Sequence, residues 1–264
     1  MTAKQLWLQG SAVSVVLALG MPAHAQTQPS APVAVAATGD RAVTVLADGW
    51  RFRQGDAITG AEAVDFADTD WATVSVPHSW NRVGVYAEQM PGRINTPAAI
   101  NKVLGIGWYR LTFTPGAAYA GKRAWLEFDA ASRIASVWLN GHLLGQHQGG
   151  YSRFRLDATP FLKPNGANLL VVKTDNSKPA PGSTTADVLP LTGDFFVPGG
   201  LYRPVRLVAT DPVHVDMLDA GGPGVYATTR AITAGAATLD LQLKLRNDAA
   251  RDQAVRVRAS LIDA

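Results

Sequence analysis

Apolar residues recur along most of this chain in short runs broken by Gly, Pro, Asn and Asp. Such runs cover 42–46, 71–76, 108–114, 124–129, 134–139, 152–156, 169–174 and 204–208. Each has the length and residue preferences of an ordinary strand, and no segment after the first 25 residues keeps helical spacing for three turns. The clearest local signal is Asn140-Gly141, set between the run ending at Leu139 and His142-Leu143-Leu144. Asn-Gly accepts the positive φ angles of a tight hairpin turn. Further on the alternation is strict. Leu239, Leu241, Leu243 and Leu245 alternate with Asp240, Gln242, Lys244 and Arg246; Val255, Val257, Ala259 and Leu261 alternate with Arg256, Arg258 and Ser260. These predict two strands, 238–246 and 253–262, each with one wet face. Many short strands at regular spacing predict an all-β sandwich or barrel.

The same pattern divides the chain. Residues 1–25 read as a signal peptide: Lys4 near the amino terminus, an apolar run over 11–19, then Ala23-His24-Ala25 with cleavage before Gln26. That run is too short to span a bilayer as a helix, which needs ~20 apolar residues. Export to the periplasm or the exterior is therefore expected, with no membrane partner. Residues 26–39, rich in Ala, Pro, Thr and Ser, read as a flexible linker. A first domain is expected over 40–210, with a boundary at Thr210-Asp211-Pro212. Residues 211–264 then supply about half of the ~100 residues of an immunoglobulin-like sandwich.

Composition narrows the function classes. With 47% hydrophobic and 17% charged residues, a sizeable core is available and wholesale disorder is excluded. Lys+Arg is 24 against Asp+Glu 21, and the positive charges are scattered. A nucleic-acid footprint needs a clustered patch, so no nucleic-acid partner is expected. The absence of cysteine excludes disulfides, thiolate metal sites and a cysteine nucleophile.

Most candidate chemistry resolves into ordinary structure. The stretch from Gly116 to Gly121-Lys122 has most of a phosphate-loop pattern, but Arg123 stands where Ser or Thr is required, and a strand follows instead of a helix. No Gly-x-Ser-x-Gly elbow is present. His142 and His147 lack convergent carboxylates, so no metal and no cofactor is expected. Glycoside hydrolysis needs two flanking carboxylates, and the three glutamates, Glu62, Glu88 and Glu127, show no pairing. Glu127 lies between Leu126 and Phe128, where a solvated strand face is expected. The segment 191–203 differs: Asp194 stands beside Phe195-Phe196, ahead of Gly199-Gly200-Leu201-Tyr202-Arg203. A lone carboxylate among aromatics suits a sugar, because it accepts from two hydroxyls while a ring packs on the C–H face. It equally suits a turn aspartate capping its own backbone.

An ordered set of motifs carries a resemblance. It runs through Asp48-Gly49-Trp50-Arg51-Phe52, Trp71, Val76-Pro77-His78-Ser79-Trp80-Asn81, and Gly107-Trp108-Tyr109-Arg110. Val137-Trp138-Leu139-Asn140-Gly141, Gly145-Gln146-His147 and Gly149-Gly150-Tyr151-Ser152-Arg153-Phe154 follow, then the run from Asn168 to Asp175-Asn176, and Gly199 to Val205. From about Asp48 to Val208 the chain is similar to the amino-terminal region of family 2 glycoside hydrolases, the β-galactosidase and β-glucuronidase family. The resemblance implies a jelly-roll-like sandwich followed by a partial immunoglobulin-like sandwich. It also implies a (β/α)₈ barrel beyond them, holding both catalytic glutamates, one preceded by Asn. This chain has no Asn-Glu dipeptide, so the family's chemistry is not carried over to it, and it is expected to be inactive alone. One contact is carried over. Asp194 matches the family aspartate that precedes the Gly-Leu-Tyr-Arg turn and binds sugar hydroxyls. Asn95 matches, in a poorly aligned loop, a family asparagine at the same site. Pro77 to Asn81 looks structural. The expected partners are a β-glycoside, galactoside above others, and a catalytic barrel on the same polypeptide or a complementing chain. The rival reading is a free-standing carbohydrate-binding or adhesion module.

Overall fold

In the computed structural model, which describes residues 41–81, 104–188, 197–258 and 260, the apolar runs become antiparallel strands. Two compact units are present, Arg41–Thr210 and one containing Asp211–Ala264. The first holds ten strands: β1 (Val43–Val45), β2 (Trp50–Gln54), β3 (Ala72–Val74), β4 (Ile106–Phe113), β5 (Arg123–Phe128), β6 (Ile134–Leu139), β7 (His142–Gln148), β8 (Phe154–Asp157), β9 (Asn168–Asp175) and β10 (Val205–Thr210). Six form a sheet in the order β3-β2-β4-β9-β6-β7, and four form a second sheet in the order β1-β10-β5-β8. The fold is thus all-β and a sandwich.

Period-two alternation builds the core. Tyr109 and Leu111, Leu170 and Val172, and Ala135, Val137 and Leu139 point in from the larger sheet. Leu126 and Phe128, Phe154, and Val205 and Leu207 meet them from the smaller one. Each large side chain taken fully from water contributes about 1.5–3 kcal/mol, so this inner layer supplies the main driving force.

The opposite face of the larger sheet is not wet. Trp108, Leu169 and Val171 are buried there with Trp71 and Ala61, and Trp138, Ile58 and Phe66 pack against them. The segment 55–71 therefore covers the sheet, and β4 and β9 are buried on both faces. Arg110, only 3% exposed, pins the cover down. It bonds Asp68 at 2.8 Å and donates to the carbonyls of Ala61, Ala63 and Phe66.

Asn140 and Gly141 take φ angles of 52° and 82°, giving the expected hairpin between β6 and β7. The loop from Gly116 carries a 3-10 turn at Ala117–Tyr119 and runs into β5, as a connector should. Strand β2 lies outside the expected runs; Trp50 and Phe52 face the core, while Arg51 reaches Thr73 and Arg53 reaches Asp70.

The second unit holds β11 (Val213–Val215), β12 (Val225–Ile232), β13 (Ala237–Leu243) and β14 (Leu245–Asn247). Two ribbons form, β12 with β13 and β11 with β14. The strand expected over 238–246 is split at Lys244. Its N–H bonds Gly224 and its carbonyl accepts from Asp216, so the chain changes partner there. The strand expected over 253–262 is not formed in 253–258, which are exposed and enter no ladder. Alternation alone does not make a strand where no neighbouring strand supplies hydrogen bonds.

Candidate functional site

Asp194 and Asn95 both lie outside the described residues. What the structure describes is the frame from which their segments depart. Asn81 precedes 82–103, Gly105 follows that segment, and Val197 follows 189–196. These three points are tied together by two asparagines. Asn81 donates to the Val197 carbonyl at 2.9 Å and accepts from Gly199 N–H at 2.7 Å. Asn176, just past the end of β9, accepts from Gly105 N–H at 3.0 Å and reaches the Val197 carbonyl at 3.5 Å. Both amides are buried. Buried backbone groups must be paired, and here side chains pair the ones that no ladder reaches.

Aromatic packing stiffens the same corner. Trp80 stacks on Phe52 with ring centroids 5.8 Å apart. A side chain at Gly107 or Gly199 would run into its indole, and one at Gly200, whose φ is 112°, would strike the Tyr109 hydroxyl and the His78 carbonyl. The Gly199-Gly200 pair thus admits a close approach that no other residue allows. His78 Nδ1 lies 2.8 Å from the Tyr109 hydroxyl, and burial pushes the Tyr109 phenol far above its ordinary pKa despite its bond to Leu201. The expected structural part for Pro77 to Asn81 is what these contacts show.

A second group adjoins the frame. Ser132 bridges Gly200, Arg133 N–H bonds the Asp175 carbonyl, and Gly149 N–H bonds the Arg133 carbonyl. The Arg133 guanidinium donates to the Ser177 carbonyl, and the Tyr202 hydroxyl donates to the Gly150 carbonyl. Asp175 is used locally, accepting from Ser177 N–H at 2.8 Å and Thr184 Oγ1 at 2.9 Å. Burial raises the phenols of both Tyr151 and Tyr202; the charge of Arg133 opposes this at Tyr151, and that of Arg203 at Tyr202.

Glu127 corrects one expectation. It is 8% exposed rather than solvated. It stands opposite Arg155 on β8 and Arg206 on β10, bonding them at 2.6 and 3.3 Å. Asp129 continues the row with Arg206 at 2.7 Å and Arg153 at 2.9 Å. Burial works against ionised Asp129, but the Arg206 hydrogen bond and the charges of Arg206 and Arg153 outweigh it and hold the carboxyl below its usual range. Arginines occupy both carboxylates, joining β5, β8 and β10 in one row of ion pairs. His142 and His147 lie on β7, stacked on Phe161 and Phe154 at 4.3 and 4.2 Å. Among the described residues no three His, Asp or Glu side chains gather as metal ligands.

The sequence pointed to Asp194 and Asn95, gave Asn81 only a general structural part within 77–81, and gave Asn176 no role beyond marking a motif. The available signal was their placement beside a turn and at a strand end, where Asn side chains bond backbone in place of a ladder.

The family profile described as glycosyl hydrolases family 2, sugar binding domain, matches residues 43–211. A β-galactosidase of Bacteroides ovatus, BoGH2A, is 36% identical over 215 residues, covering 81% of this chain and 23% of that protein. A β-glucuronidase of Bacteroides fragilis is 31% identical over 206 residues, covering 78% and 26%. The solved structure of a Bacteroides uniformis β-glucuronidase superposes with a TM-score of 0.68 at 31% identity, covering 80% of this chain and 23% of that one. The chain thus spans about a quarter of the length of these relatives.

Proposed function

Because the chain belongs to glycosyl hydrolase family 2 through its sugar binding domain, we propose that it is the non-catalytic, sugar-holding front part of an exported β-glycosidase, most like a β-galactosidase. The observation that carries this reading is the asparagine frame. Asn81 and Asn176 hold together the stems of the two segments that contain Asn95 and Asp194. That frame fixes both ends of the segment carrying Asn95 and one end of the segment carrying Asp194, and fixed anchor points are what orientation of a sugar requires. Bond breaking is assigned to a catalytic barrel on the same polypeptide or a complementing chain, acting with retention through a glycosyl intermediate. BoGH2A favours a galactoside; the glucuronidases among the relatives make a glucuronide the alternative substrate.

Asp194→Ala, in the chain joined to its barrel, is expected to lower catalytic efficiency on an aryl β-galactoside at least tenfold with little change in Tm. Charge-assisted hydrogen bonds to hydroxyls contribute about 1.5–3 kcal/mol each. Unchanged kinetics would return Asp194 to a turn residue. The chain alone is expected not to hydrolyse the same glycoside; turnover that survives purification and is lost in Glu127→Gln would overturn the assignment. Export is checked by amino-terminal sequencing of secreted protein, which is expected to start at or near Gln26.

A further inference from the structure

We propose that Tyr151 is a second point of sugar recognition on this sandwich, its ring taking the C–H face of a pyranose while Arg203 and Ser152 beside it take hydroxyls. The inference rests on the reading of this domain as sugar-binding. Among the described residues Tyr151 is the only Phe, Trp or Tyr that is exposed, at 45%. One exposed ring is unremarkable in itself; its mounting is what distinguishes it. Three successive residues are clamped through their backbone. Gly149 N–H bonds the Arg133 carbonyl, the Gly150 carbonyl accepts from Tyr202, and the Tyr151 carbonyl accepts from Arg203 Nη1 at 3.3 Å. The turn is therefore held by the segments that lead into β6 and β10, while the residue stays exposed. A ring on a pre-ordered backbone loses little freedom when a ligand covers it.

Hydrogen-bonding groups adjoin this residue, one at its backbone carbonyl and one on the next residue. Arg203 is exposed, and its guanidinium lies over the Tyr202 ring, 5.5 Å from the centroid. Ser152 is exposed, and its hydroxyl lies 3.2 Å from His147 Nε2. An exposed ring, a guanidinium at its backbone carbonyl and a hydroxyl on the next residue together offer what a pyranose needs, since it presents C–H groups on one face and hydroxyls at its rim. The location agrees. Gly150 lies against Ser132, and Ser132 bridges Gly200, three residues beyond Val197 where the chain returns after Asp194. The class of ligand is therefore a β-linked pyranoside.

The test titrates the full chain, with isotope-labelled tyrosine rings, against lactose and separately against phenyl β-D-glucuronide, following ring resonances by NMR. The Tyr151 ring signals are expected to shift saturably with at least one of the two. Tyr151→Ala is expected to raise the Kd for that probe about fivefold, the scale of an aromatic face contact, and Tyr151→Phe to stay within about twofold. Both variants are expected to keep the wild-type Tm, because the backbone clamps do not use the ring. Binding that is unchanged in Tyr151→Ala overturns the inference and leaves the sugar-binding reading standing. A Phe variant as weak as the Ala variant overturns the stacking role. No saturable shift anywhere in the wild-type chain with either probe overturns both.

Discussion

A buried guanidinium is tolerated only when its donors find acceptors, and Arg110 meets that condition through Asp68 and three carbonyls of the 55–71 cover. Arg110→Met would leave those acceptors without a donor. It is expected to lower the unfolding free energy by about 3 kcal/mol, read as a drop in the urea midpoint. Nothing in the spacing around Gly107-Trp108-Tyr109-Arg110 announced this role, because its partners lie more than forty positions away. Glu127 was misread for a similar reason. A strand pattern shows which face a residue takes, but not that Arg155 and Arg206 stand opposite and shut water out. His147 gives a pH signature. Burial pushes its pKa below 6.5, although the bond to Gly149 works the other way. A lowered folded-state value means that protonation favours the unfolded chain. The stabilisation is complete above about pH 6.5 and is lost as pH falls from there toward the folded-state value. Thermal melts between pH 7 and 5 are expected to fall in Tm, and His147→Gln to flatten that slope.

At the scale of elements, the β6–β7 hairpin was the most legible feature, and its turn does more than reverse the chain. The Asn140 side chain donates to the Phe161 carbonyl and to Asn168 Oδ1, and accepts from Leu169 N–H. Backbone and side-chain demands can be separated. Gly141→Ala, strained at φ 82°, is expected to cost about 1 kcal/mol. Asn140→Gly keeps the angle and loses the three bonds, so about 2 kcal/mol is expected from it. Chemical denaturation distinguishes the two values. β13 announced itself by alternation, although Thr238 and Asp240 are half-buried like Leu239, Leu241 and Leu243. β4 and β9 did not alternate because the 55–71 cover buries their second face; they were legible as apolar runs, and the cover was not. β2 escaped notice because Arg51 and Arg53 leave only Trp50 and Phe52 to signal a strand. The 253–258 segment shows the converse, with alternation present and no partner strand beside it among the described residues.

For the molecule as a whole, the described residues 251–258 are exposed and outside any ladder, and Arg251, Arg256 and Arg258 lie among them. Brief trypsin treatment is expected to cut there first, ahead of Arg110, Arg155 and Arg206, which are held in strands and ion pairs. Mass spectrometry of the early fragments checks this, and early cleavage within β4, β8 or β10 would contradict it. The family and the sandwich were readable because motif order and strand spacing are properties of the linear chain. The asparagine frame was not, since it joins Asn81, Gly105, Asn176 and Val197 across the fold. The seam between β1 and β10 has a bearing on biogenesis. Val43 pairs with Val208, and β10 also supplies the second neighbour of β5. A nascent chain that has emerged only as far as β9 has its larger sheet but a bare β5 edge, and such edges template aggregation. At ~5–20 residues per second the ribosome leaves that edge open for seconds before β10 appears. Until Val205–Thr210 clears the exit tunnel, the sandwich stays unsealed, and its nascent chain is expected to need protection from association.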